Sequence, residues 1–137
     1  MGFQQAVRTC LSKYADFNGR ASRAEFWWFF LFTVLVSLVL MIPLFIIIAL
    51  MAAMGDSSAG VGIMGVLMVL WYIVLFAVTI ALFIPTLAVG ARRLHDWGQS
   101  AWLLLLYIVP CGNIALIIMW ALQGTPGDNA YGPKPAA

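Results

Sequence analysis

The chain has 137 residues, of which 64% are hydrophobic and 9% charged, against about 45–50% and 25% in soluble domains. A soluble domain this small has too few polar groups to cover so much apolar surface, which makes lipid the solvent for most of the molecule and leaves no room for a second domain of ordinary size. Seven Lys and Arg against five Asp and Glu give a net charge of +2, an excess too slight to suggest a nucleic-acid partner.

From the N-terminus, Phe3, Val7, Cys10, Leu11 and Tyr14 recur at helical spacing, with Gln4, Gln5, Arg8, Ser12 and Lys13 opposite. The pattern predicts an amphipathic helix over 3–15. It either lies in the membrane interface, with Arg8 and Lys13 toward anionic headgroups, or packs on the protein's own loops. Asp16-Phe17-Asn18-Gly19 should end it. Ser22-x-x-Glu25 then has capping-box spacing and opens a first transmembrane helix over 23–54, with Trp27 and Trp28 at interface depth and a kink at Pro43. The uncharged run 26–54 is roughly twice as long as a signal peptide's apolar core, and no small-residue cleavage pattern follows a short core. It is read as retained.

A polar break at 55–60 precedes a second uncharged run, 61–91, longer than the ~20 residues needed to cross and kinked near Pro85. Residues 92–100 are dense in polar groups. A third apolar run, 101–122, is interrupted by Pro110-Cys111-Gly112-Asn113. A kinked full span is favoured there over a re-entrant hairpin that turns at the break. The tail, 123–137, is rich in turn residues and is expected to be extended. Gly127, Asn129, Tyr131 and Gly132 make a turn-rich element that, if cytoplasmic, could fold back onto the arginines. Arg8, Lys13, Arg20 and Arg23 precede the first span, and Arg92 and Arg93 follow the second. That distribution predicts a cytoplasmic N-terminus. The tail then lies outside in the three-span arrangement and returns to the cytoplasm in the hairpin arrangement.

Arg20, Arg23, Arg92 and Arg93 flank two helix ends on one side. Guanidinium forks match phosphate, so these four are the candidate anion-binding or partner-binding residues. Glu25, His95, Asp96, Asn129 and Tyr131 are the candidate supporting groups. His95 and Asp96 are neighbours in sequence and do not face each other, and no nucleophile stands at a useful spacing. No catalytic residue, metal or cofactor is expected: Cys10 and Cys111 form no CxxC pattern, and there is one histidine. The absence of an ionisable residue deep in a span argues against an ion-coupled transporter.

The stretches FNGRASRAEFWWFFLF at 17–32, ARRLHDWGQSAW at 91–102, P-x-G-N at 110–113 and GDNAYGP at 127–133 together resemble the DUF805 family of small bacterial inner-membrane proteins of uncharacterised function. The resemblance implies an inner-membrane location and a multi-pass chain, and no activity. The sequence reading is therefore an all-α, polytopic membrane protein with three transmembrane helices, the third kinked, plus the N-terminal amphipathic helix. Its expected role is a non-enzymatic accessory or scaffold protein whose basic cytoplasmic face contacts anionic lipid, a membrane-protein partner or a second copy. The alternative is a subunit of an oligomeric small transporter or channel.

Overall fold

The computed structural model describes residues 1–55 and 58–136. Among these the chain forms α1 (Phe3–Ser12), α2 (Arg23–Met54), α3 (Ser58–Asp96), a 3-10 helix (Ala101–Tyr107) and α4 (Gly112–Ala121). The β-type pairing among them is a single bridge between Asn129 and Gly132. Asp56 and Ser57 of the predicted polar break, and Ala137, lie outside the described residues. The chain divides into two compact units: residues 1–32 with 83–137, and residues 33–82.

In the unit of residues 33–82, the exposed surface is apolar: Leu38, Val39, Phe45, Ile63, Val69 and Phe76 all face outward. Only 6% of the most apolar stretch of α2 and none of that of α3 is buried. A core helix of a soluble protein would be mostly covered; these two are apolar on the outside, as a bilayer requires. Both are long enough to cross, and residues 33–54 alone reach the ~30 Å of a hydrocarbon core at ~1.5 Å per residue. Two hydroxyls satisfy themselves within the helix: Ser37 Oγ donates to Thr33 O at 2.8 Å and Thr79 Oγ1 to Leu75 O at 2.7 Å. Pro43 has no N–H to give the preceding turn. In that turn Leu40 O accepts the Trp71 indole N–H at 3.1 Å.

The other unit has its own core, in which Cys10, Ala21, Phe26, Phe29, Val89, Leu94, Leu116 and Trp120 are buried. Helix α1 is amphipathic as its spacing predicts. It buries Ala6 and Cys10 and leaves Phe3, Leu11 and Tyr14 partly exposed, with Arg8 and Lys13 exposed. It ends at Ser12 rather than 15 because local turn bonds take over: Asp16 N–H donates to Lys13 O, and Asn18 N–H to the Asp16 carboxylate. Ser22 caps α2, its Oγ accepting the Glu25 amide at 3.1 Å. The Glu25 carboxylate, expected to reach back to the cap, instead accepts from Arg92 Nη1 at 2.6 Å and from the Cys10 thiol at 3.7 Å. Helix α3 runs past the predicted 91 to Asp96. It closes with Gln99 N–H on Leu94 O and Gly98 N–H on His95 O, both at 2.9 Å, the paired bonds of a Schellman ending.

Residues 101–122 differ from the favoured kinked helix. The 3-10 helix and α4 are separate, and Cys111, with φ 62°, turns the chain between them. Cys111 is exposed at this turn. Gly112 fits there because a Cβ would stand 2.0 Å from Leu106 O. Both ends of this hairpin are fastened to the end of α3. Gln99 bonds to Leu94 just before it, and Trp120 O and Leu122 O accept from Arg93 at its close. The chain therefore goes out and comes back. Trp102 and Ile108 are 78% and 81% exposed on it, and no charge occurs between them.

Candidate functional site

The C-terminal turn of α3 sets the site. Arg93 and Asp96, one turn apart on it, pair with each other, whereas Arg92 meets Glu25 and His95 meets Tyr131. Asp96 is shared by two arginines. Arg20 Nε lies 2.9 Å and Nη2 2.8 Å from Oδ1, while Arg93 Nη1 holds Oδ2 one helical turn away. Two cations on one carboxylate leave a net positive charge here. Its cost underground is offset by carbonyls: Arg93 also donates from Nε to Trp120 O at 3.0 Å and from Nη2 to Leu122 O. Arg20 donates to Thr125 O at 3.0 Å, Gly127 O at 2.7 Å and Gly132 O at 3.3 Å. Planar five-donor forks suit such a task, in which a lysine would leave most acceptors unmet.

The tail is thereby strapped over the end of α3. Thr125 N–H and Oγ1 donate to Asp96 O at 2.9 and 3.2 Å. Asn129 Nδ2 donates to His95 O at 2.9 Å and to Thr125 Oγ1 at 3.0 Å. The Tyr131 ring stacks on His95 with centroids 4.0 Å apart and planes 3° from parallel. His95 Nδ1 lies 3.1 Å from Gly19 O; a carbonyl only accepts, so Nδ1 carries the hydrogen. Gly124 permits the closeness of the strap, since a Cβ there would sit 1.9 Å from Asp96 Oδ2.

Arg92 occupies a separate environment. It is fully buried, pairs with Glu25, and leaves Nε and Nη2 without a hydrogen-bond partner among the described residues. The thiol of Cys10 lies against this pair. Burial first, and then the Glu25 carboxylate, push that thiol up to about 12, so it stays protonated and unreactive.

The four predicted arginines thus divide. Arg20, Arg92 and Arg93 are buried and bound to internal partners, whereas Arg23 is exposed. Glu25, His95, Asp96, Asn129 and Tyr131 all meet them or one another, as described above. Arg23 lies beside a cleft of about 340 Å³ lined also by Ser22, Ala24, Gly124, Thr125 and Lys134, with Asp96 in its wall. Sequence reasoning gave no site role to Thr125, Gly124, Trp120 or Lys134. Lys134 was visible as the lone cation of the tail, but nothing in the sequence places it near Arg23. Among the described residues, no group of three or more His, Cys, Asp or Glu could hold a metal ion.

Known proteins match most of the chain. The family described as "Protein of unknown function (DUF805)" matches residues 14–133. Inner membrane protein YhaH of Escherichia coli (strain K12) is 36% identical over 126 residues, covering 91% of this chain and 91% of that protein. Inner membrane protein YhaI of the same strain is 31% identical over 126 residues, covering 91% and 90%. No solved structure matches. The family match runs from just after α1 through the tail strap and takes in the whole arginine–Asp96 cluster: the chain belongs to the DUF805 family.

Proposed function

We propose that this chain is a multi-pass inner-membrane protein with a non-enzymatic accessory or scaffold role. In this reading α2 and α3 cross the bilayer, residues 101–122 form a re-entrant hairpin, and the N-terminus, the 92–100 turn and the tail share the cytoplasmic side. A basic face there contacts anionic lipid.

The observation that carries the reading is the Asp96 clamp. Its ionisable groups are committed to one another and to carbonyls of the tail, an arrangement that holds a shape rather than one that moves protons or attacks a bond. Three further observations support it. The apolar faces of α2 and α3 are uncovered, and relatives of this chain are named inner membrane proteins. α4 has 10 residues, about half of what a crossing needs. The cations Arg8, Lys13, Arg23 and Lys134 are exposed, and each basic residue near an anionic surface contributes about 1 kcal/mol.

Native mass spectrometry from mixed-lipid discs tests the lipid-facing role. Phosphatidylglycerol should be retained in preference to phosphatidylcholine; equal retention removes the basic-face reading.

A further inference from the structure

The cleft beside Asp96 has the features of a discrete binding site. Its volume of about 340 Å³ falls at the lower end of small-molecule sites, roughly 300–1,000 Å³. It is lined by two exposed cations from distant parts of the chain, Arg23 and Lys134. Neither forms an ion pair among the described residues, in contrast to Arg20, Arg92 and Arg93. The one carboxylate in the wall, Asp96, has both oxygens taken by guanidinium groups. Because two arginines share it, the wall behind the cleft is positive rather than negative. The remaining wall adds the first turn of α2 at Ser22, Arg23 and Ala24, where backbone N–H groups lack intrahelical acceptors.

We propose that this cleft binds a phosphate group, with Arg23 and Lys134 as its two cationic arms and the Asp96-paired arginines as fixed positive charge behind its wall. The arms lie on separate elements: Arg23 opens α2, and Lys134 follows the strap, its N–H donating to the Asp128 carboxylate at 3.2 Å. The strap that closes over α3 is thus also what brings the second arm to the first. The phosphate belongs either to an anionic lipid headgroup or to a soluble phosphate; the lipid case rests on the membrane placement proposed above.

Three full-length proteins separate the outcomes: unmodified, Arg23→Gln/Lys134→Gln, and Arg8→Gln/Lys13→Gln. The last removes the same charge from the exposed face of α1. Each is released from mixed phosphatidylglycerol–phosphatidylcholine discs for native mass spectrometry. Each is also titrated with inorganic phosphate in zwitterionic detergent while the Gly124 and Thr125 amide resonances are followed. The expected result is a phosphatidylglycerol preference that falls about 25-fold in the cleft variant, two cations' worth at about fivefold each, and falls by clearly less in the α1 variant, whose cations meet the surface with no cleft to hold a headgroup. Saturable phosphate shifts at Gly124 and Thr125 with no lipid preference would keep the site, assign it to a soluble phosphate and defeat the lipid-contact role. Equal loss in both variants, or an unchanged preference in the cleft variant, overturns the site and leaves the basic face standing. Neither lipid preference nor phosphate shifts in the unmodified protein overturns both.

Discussion

Arg20 and Asp96 stand 76 residues apart in the chain, yet Arg20 Nε and Nη2 both lie within 2.9 Å of Asp96 Oδ1. That single contact ties the segment before the first candidate span to the end of the second. Arg20 then spends its remaining donors on carbonyls of the tail, so the same guanidinium also fixes the chain that follows the hairpin. Among the described residues, Asp96 is the one anion that answers both Arg20 and Arg93.

Asp96→Asn keeps the shape of the side chain and removes its charge. It leaves two buried guanidinium groups without a counter-ion, and breaking a buried pair in this way costs about 3–5 kcal/mol. Unfolding in detergent, followed by tryptophan fluorescence, should show that loss. Arg23→Gln, at an exposed position, should stay within about 0.5 kcal/mol of the unmodified protein. Similar stabilities for the two variants would mean that the clamp does not hold the unit together.

Ser22→Ala removes the hydroxyl that accepts the Glu25 amide and should cost about 0.5–2 kcal/mol. Ser22→Asp, which restores an acceptor and suits the helix N-terminus, should recover most of it. The same unfolding measurement decides. An unstable Asp variant would show that the cap matters through its size in a tight site rather than through its hydrogen bond.

Cys10 links stability to pH. Its thiol is raised from 9.0 to about 12, so the folded protein holds a proton that the unfolded chain releases at lower pH. Below pH 9 both states keep the proton and the thiol adds no pH dependence. Between 9 and 12 the unfolded state loses it first, and stability falls as pH rises. Cys10→Ala should therefore unfold with a weaker alkaline dependence than the unmodified protein. In a Cys111→Ser background, maleimide at pH 7.5 should label Cys10 only after denaturation. Rapid labelling of the folded protein would show that α1 does not stay closed over the Arg92–Glu25 pair.

The parts of the fold that rest on local chemistry were legible in the sequence: the spacing of Phe3, Val7 and Cys10, the Ser22 cap, and the uncharged runs behind α2 and α3. The parts that rest on distant partners were not. Pro110 and Gly112 signal a break, but whether the chain turns there depends on Arg93 reaching Trp120 O and Leu122 O, nearly thirty residues on. The arginines read as surplus charge because only Glu25 and Asp96 stood near them in sequence. Much of what satisfies them is backbone: the carbonyls of Thr125, Gly127, Gly132 and Trp120, which no residue type reveals. The acceptor role of Glu25 for Arg92 and Cys10, rather than for its own helix cap, was hidden for the same reason.

In the proposed arrangement the hairpin returns the chain to the side from which it left, so that the tail strap and the N-terminal arginines share one face of the membrane. A pair of reporters fused after Ala137 tests this most directly, because alkaline phosphatase is active only outside the inner membrane and green fluorescent protein, exported in unfolded form, fluoresces only inside. A fluorescent fusion without phosphatase activity is expected. Phosphatase activity without fluorescence would place the tail outside, separate Gly127 and Gly132 from Arg20, and contradict the clamp.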